Sequence, residues 1–149
     1  MRSSLSDTKY LKVFNMNPKN KKTTDCVVRA IALATNQSWE KVLRDLCEIA
    51  IETGYHIDDV KCYAKYIESC GFTKCKQPRK PNNKKYTGKE FCQYLYDNKV
   101  AYNKRILAHI GGHHIVAIMP LNDKGEKRFK VVDIWDSTDG TIGNFWMIK

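Results

Sequence analysis

The chain has 149 residues, of which 42% are hydrophobic and 11% aromatic, and its formal net charge is +10. This length fits one domain, residues 1–149, and the composition excludes a disordered or fibrous protein. The sequence has no run of about 20 apolar residues and no apolar segment of the kind a signal peptide needs near its N-terminus. We therefore expect no membrane partner and a cytoplasmic location.

The cysteine content bears on redox state and on metal binding. Six cysteines are present, and most lie within helical patterns, which favours free thiols over a disulfide framework. Four of them fall in the middle third of the chain: Cys62, Cys70, Cys75 and Cys92. Structural zinc sites favour closely spaced ligand pairs, and only Cys70 and Cys75 form one. We predict no metal and no cofactor.

The N-terminal part predicts a short strand in the sequence LKVF and then a helix that begins at Cys26. Thr24 or Asp25 is the expected cap for the free N–H groups of this helix, and the apolar run ends near Thr35. The stretch TTDCVVRAIALAT thus places a thiol in the first turn of an apolar helix.

Three further helices are predicted before residue 100. The first follows Ser38 as its N-cap, repeats apolar residues at helical spacing and stops at Gly54. The second spans 58–69. The third opens with Thr87 and Glu90, which have the spacing of a capping box.

Beyond Asn98 the pattern changes to strands rich in Ile and Val, separated by breaks that contain glycine. Strands are predicted over 105–110, 113–119, 128–134 and 144–148, and the second and third are joined as a hairpin. Helices followed by strands indicate an α+β fold, with N-terminal helices packed on a C-terminal antiparallel β-sheet.

A basic segment separates the two halves. Pro and Asn residues mark it as a loop, and it contains no acid until Glu90. Its cations are Lys74, Lys76, Arg79, Lys80, Lys84, Lys85 and Lys89. This basic loop is either a solvated surface or a binding patch for nucleic acid or an acidic protein, although the sequence has no zinc-finger or RRM motif.

The residues with the strongest chemical potential are Cys26, two histidines and an aspartate. A helix N-terminus stabilises a thiolate, which is the nucleophilic form of cysteine. His113 and His114 open an apolar strand and point to opposite faces of it, so that one of them can meet the helix. Asp133 ends the neighbouring strand, where it can orient a histidine, and Asp136 competes with it for this role.

These elements together resemble the papain-like cysteine peptidase superfamily. The resemblance is carried by the cysteine at the start of a helix, by Gly-His-His-Ile-Val and by Val-Val-Asp-Ile-Trp-Asp, and it covers about 17–136. The chain resembles especially the small bacterial and phage members related to the C39-like peptidases, and this resemblance implies a minimal papain-like core. The papain signature around the cysteine, Cys-Gly-Ser/Ala-Cys-Trp/Tyr, is absent.

The resemblance also implies roles for individual residues. Cys26 is the nucleophile, His114 the base and Asp133 the orienting residue, with Trp135 as an aromatic shield over the His–Asp bond. An oxyanion-hole side chain is implied six positions before the nucleophile, where this chain has Asn20, and Asn17 is the competing residue. The expected activity is that of a cysteine peptidase or amidase on a peptide or protein substrate. Transfer of the acyl group to another acceptor, and an inactive module that binds through the basic loop, are the alternatives.

Overall fold

The computed structural model describes residues 5–148. They form four helices: α1 (Cys26–Thr35), α2 (Trp39–Thr53), α3 (Val60–Ser69) and α4 (Gly88–Asp97). They form six strands: β1 (Leu11–Val13), β2 (Thr73–Cys75), β3 (Arg105–Ile110), β4 (His114–Asp123), β5 (Glu126–Asp133) and β6 (Ile142–Ile148). The fold class is α+β, as predicted.

All six strands form one sheet, in the order β1-β5-β4-β3-β6-β2. The neighbouring strands are antiparallel except β1 and β5, which run parallel. The expectation of a sheet built only from C-terminal strands is therefore incomplete. The N-terminal strand β1 forms one edge, and β2, which lies in a segment predicted as loop, forms the other.

The sheet separates two apolar clusters. On one face Leu107, Ile115 and Trp146 pack with residues of α1, α2 and α3, and on the other face Val116 and Ile118 pack with residues of α4. The alternation of strand side chains produces this division, because successive residues of β4 point to opposite faces. Both faces of the central strands are therefore buried.

The ends of α2 and α4 follow the sequence signals, and α3 begins at Val60, two residues later than predicted. The Ser38 side chain accepts a hydrogen bond from the N–H of Lys41, and Gly54 ends α2 in the left-handed conformation at φ 80°. Thr87 and Glu90 form the reciprocal capping box of α4. The exception is α1, where Asp25 occupies the cap position but its side chain makes no capping hydrogen bond.

The hairpin between β4 and β5 is tighter than predicted. Its turn consists of Lys124 and Gly125, at φ 51° and 89°, which are the positive angles of a type I′ turn. β4 continues through Pro120, which pairs with Phe129 of β5 but lies beyond the last residue paired with β3. The missing N–H of proline therefore interrupts no ladder on the β3 side. Within residues 5–148, no helix has both the length and the apolarity that crossing a membrane requires.

Candidate active site

The three residues predicted to form the site lie at the ends of three elements that meet. Cys26 is the first residue of α1, His114 the first of β4 and Asp133 the last of β5. α1 packs on β4, and the antiparallel register pairs Ala117 with Val132. This register brings the end of β5 beside the beginning of β4, which explains why the histidine and the aspartate meet.

His114 and Asp133 are hydrogen-bonded. The distance from His114 Nε2 to Asp133 Oδ2 is 2.7 Å, and the Asp133 side chain is only 3% exposed. The same carboxylate accepts hydrogen bonds from the hydroxyl of Ser137 and from the N–H of Ile134, each at 2.7 Å. These bonds hold the carboxylate in place, so that it fixes the orientation of the imidazole ring.

Trp135 lies beside this pair. Its ring centroid is 5.1 Å from that of His114, with the two planes inclined at 40°, and half of its surface is exposed. The indole ring therefore contacts the imidazole, and the shielding role that the resemblance implies stays a prediction.

The thiol of Cys26 has a lowered pKa. Burial alone raises the pKa, but the hydrogen bond with His114, the N–H of Ile115 and the positive charges of His114 and Arg29 together outweigh it. Because Nε2 of His114 is bonded to Asp133, Nδ1 is the ring nitrogen left to interact with the sulfur. The arrangement favours a thiolate over a thiol.

The partner imidazole shows the complementary change. Burial lowers the pKa of His114, but hydrogen bonds to Asp133 and Cys26 and their negative charges raise it to about 9. The opposite directions of the two pKa shifts favour the thiolate–imidazolium form of the pair over the neutral form.

His113 and Asp136, the alternatives to His114 and Asp133, are not part of this hydrogen-bonded pair. His113 is exposed. Asp136 is also exposed, and its carboxylate accepts hydrogen bonds from the N–H and the hydroxyl of Thr138. Asp136 therefore stabilises the turn after β5, whereas Asp133 contacts the imidazole.

The two asparagines proposed for the oxyanion hole differ in their contacts. The Asn17 amide is buried, donates to Asp25 Oδ2 at 3.1 Å and accepts from the N–H of Lys19 at 2.9 Å. Asn20 is exposed, has a left-handed backbone at φ 53°, and its side-chain oxygen lies 3.4 Å from Asn15 Nδ2. The Asn17 amide is thus bonded within the protein interior, whereas the exposed Asn20 side chain donates no hydrogen bond within the described residues.

Asp25 belongs to a buried polar cluster that the sequence did not indicate. Its Oδ2 accepts hydrogen bonds from Asn17 and from Trp39 Nε1, the latter at 2.9 Å. Its Oδ1 lies 3.0 Å from Arg29 Nε, an ion pair at hydrogen-bond distance but without hydrogen-bond alignment, and both side chains are about nine-tenths buried. The prediction that this side chain caps the helix was wrong. Asp25 instead forms an ion pair with Arg29, one turn further along α1.

A second imidazole near Cys26 also received no role from the sequence. His109 of β3 contacts the hydroxyl of Tyr63 of α3 at 2.5 Å, and both rings pack edge-on against Trp146. The alternation in β3 is the signal that could have found it. His109 shares a face with Leu107, on the side of the sheet that α1 and α3 cover.

The basic loop is partly neutralised. Lys80 pairs with Glu90, and Lys89 pairs with Asp139 at 3.0 Å. All six cysteines are free thiols. In the described part of the chain, no group of three or more His, Cys, Asp or Glu side chains is placed to hold a metal ion.

Comparison of this chain with protein-family models, with curated proteins and with solved structures finds no match.

The opposite shifts of two histidines can be measured directly. Burial lowers the pKa of His109, and the charges of His113 and Lys74 lower it further. We expect NMR titration to show the His109 ring losing its proton below the ordinary histidine pKa of about 6.5, and the His114 ring keeping its proton up to about pH 9. Signals are assigned with His109→Gln and His114→Ala. Two rings that titrate together would contradict the arrangement.

Proposed function

We propose that this protein is a papain-like cysteine hydrolase, a peptidase or amidase, with Cys26 as nucleophile, His114 as acid and base, and Asp133 as orienting residue. The observation that carries the proposal is the hydrogen bond between His114 Nε2 and Asp133, 2.7 Å long. This bond leaves the other ring nitrogen, Nδ1, for the sulfur of Cys26 at the start of α1. Nucleophile, base and orienting group in this mutual contact are the general signature of covalent acyl transfer.

The mechanism follows from the protonation states. The Cys26 thiolate attacks an amide carbonyl, and a C–S bond forms as the carbonyl π electrons move to oxygen. The His114 imidazolium then gives its proton to the leaving amine as the C–N bond breaks. Neutral His114 then takes a proton from water as the water oxygen attacks the thioester carbonyl, and collapse of this second tetrahedral intermediate breaks the C–S bond, which releases the carboxylic acid and restores the Cys26 thiolate and the His114 imidazolium.

The oxyanion of each tetrahedral intermediate requires donors. The backbone N–H of Cys26 is one, because the first N–H groups of a helix have no partner within the helix. We assign the second to the Asn20 side chain rather than to Asn17, since the Asn17 amide is bonded to Asp25 and Lys19.

We also propose a substrate class and a cellular location. The substrate is a peptide or protein, and the net charge of +10 favours an acidic one. We place the protein in the cytoplasm, where free thiols persist. A role limited to binding through the basic loop has less support, because two of its cations are already paired with acids.

The test is selective alkylation. At about pH 6 an ordinary thiol is almost wholly protonated, so iodoacetamide should label Cys26 much faster than Cys47, which is the exposed cysteine of α2. Peptide mass mapping measures both rates in one sample. We expect the preference for Cys26 to disappear in His114→Ala, because the imidazolium that stabilises the thiolate is lost.

Cys47 and the buried Cys62 are internal controls for accessibility. Labelling of Cys26 no faster than that of Cys47 in the wild-type protein would rule out an activated thiol. Labelling that stays fast in His114→Ala would remove the histidine from the site.

A further inference from the structure

Cys26 has a second polar neighbour on the side of β4 opposite to Trp135. His109 lies on β3 and Trp135 follows β5, and these two strands flank β4. His109 pairs across the ladder with Ile115, which lines the same cavity as Cys26. Paired residues in an antiparallel ladder have Cα atoms only about 5 Å apart. His109 therefore lies directly beside a residue that lines this cavity.

Tyr63 connects His109 to the same site from the helical layer. Cys26 packs against the apolar cluster that contains Tyr63, Ile115 and Trp146. The pKa of Tyr63 is raised to about 12, first by burial and next by the negative charge of Cys26. Tyr63, the partner of His109, therefore belongs to the apolar cluster that Cys26 contacts.

The contacts determine which nitrogen of His109 carries the proton. Tyr63 is 4% exposed, and among residues 5–148 its hydroxyl has one hydrogen-bond partner, His109 Nε2. A buried hydroxyl proton needs an acceptor, so the phenol donates and Nε2 accepts. A neutral imidazole that accepts at Nε2 carries its hydrogen on Nδ1.

The Nδ1–H group is the remaining donor of the pair. Within the described chain it has no hydrogen-bond acceptor, and the His109 ring is partly exposed. The phenol fixes the tautomer, and the packing of both rings against Trp146 fixes the ring orientation. A rigid, uncommitted N–H beside a nucleophile is suited to bind a carbonyl oxygen of the substrate.

We propose that His109 binds the acyl part of the substrate, its Nδ1–H donating a hydrogen bond to a second carbonyl beyond the one that Cys26 attacks, with Tyr63 as the positioning residue. This inference rests on the proposed function. We place the acyl part of the substrate on the β3 side of Cys26, where His109 lies. The leaving group must reach His114, which protonates it, and Trp135 covers His114 from the β5 side. The β3 side is therefore left for the acyl group. The substrate class is therefore a peptide-like acyl donor rather than a simple acyl group.

The experiment compares two esters that differ by this carbonyl. N-acetylglycine p-nitrophenyl ester has an amide carbonyl next to the reacting carbonyl, and p-nitrophenyl acetate has none. Acylation of Cys26 is followed by nitrophenolate release and by mass mapping, and each rate is divided by the rate of the same ester with free N-acetylcysteine. We expect the wild-type protein to prefer the acetylglycyl ester.

Three variants locate the donor. His109→Gln keeps an acceptor for Tyr63 but loses the donor at the Nδ1 position, so the preference should fall about 3- to 10-fold, the usual effect of one hydrogen bond. His109→Asn places an amide nitrogen at that position and should retain much of the preference. Tyr63→Phe keeps the ring packing but no longer fixes the tautomer of His109, so the ester preference should fall.

The outcomes separate this inference from the proposed function. An unchanged ester preference in His109→Gln overturns the inference, and so does an equal loss with both esters, because that would indicate a purely structural role. Failure of the proposed function appears in the wild-type protein, as acylation of Cys26 no faster than that of Cys47 by either ester.

Discussion

We expect Asp133→Ala to lower the rate at which p-nitrophenyl acetate acylates Cys26 by about 100-fold, within the range found when a general base is lost or misplaced. The physical reason is that the carboxylate both orients the His114 ring, through the bond from Nε2, and raises its pKa. Without it the ring is free to turn, and the imidazolium that stabilises the thiolate loses its main partner. Nitrophenolate release measures the rate.

Asp136 supplies the matched control. It lies three residues away, and its carboxylate bonds to Thr138 instead of the imidazole. Asp136→Ala should loosen the turn after β5 but leave acylation near the wild-type rate. A larger loss in Asp136→Ala than in Asp133→Ala would show that the wrong aspartate has been assigned.

Asp133→Asn separates orientation from charge. The amide oxygen can still accept from His114 Nε2, but the negative charge that raises the pKa of His114 is gone. The pKa of His114 should therefore fall below about 9, and the acylation rate should fall less than in Asp133→Ala. The same NMR titration that identifies the His114 ring measures the shift.

The helix boundaries could be predicted because the signals that set them are local. Ser38, Gly54 and the Thr87–Glu90 pair act on backbone groups within four residues, so the sequence alone contains both partners of each contact. The order Cys26, His114, Asp133 could also be recognised in the sequence, because the predicted hairpin that joins β4 and β5 brings His114 and Asp133 side by side. The order did not determine the catalytic roles, which remain a proposal.

Features that depend on distant partners were missed. The strand β1 was predicted, but its pairing with β5, more than 100 residues later, was not, and β2, which pairs with β6, was not predicted at all. Each strand is three residues long, so its few residues do not indicate which strand it pairs with. The side chain of Asp25 matched the N-cap preference, but its partners Asn17 and Trp39 come from a preceding turn and from another helix. The Asp25 side chain is buried by the tertiary fold, and its contacts there replace the capping hydrogen bond that the local sequence predicts.

The buried ion pair behind the nucleophile has the largest expected effect on stability. Arg29→Met should lower the free energy of unfolding by about 3 kcal/mol, because removal of one partner leaves the other charge buried and uncompensated. Asp25 would then keep only two neutral donors, Asn17 and Trp39. Urea unfolding followed by far-UV circular dichroism measures the change.

Lys41→Met is the matched control, because Lys41 and Asp45 form another pair four residues apart on one helix, at 2.7 Å, but with the lysine largely exposed. It should leave the unfolding midpoint near that of the wild-type protein. The double variant Asp25→Asn with Arg29→Met removes both charges together, and it should cost less than the sum of the two single changes because neither charge is left alone. Additive losses would mean that the two side chains do not interact, and that Arg29 stabilises α1 only through the packing of its aliphatic stem.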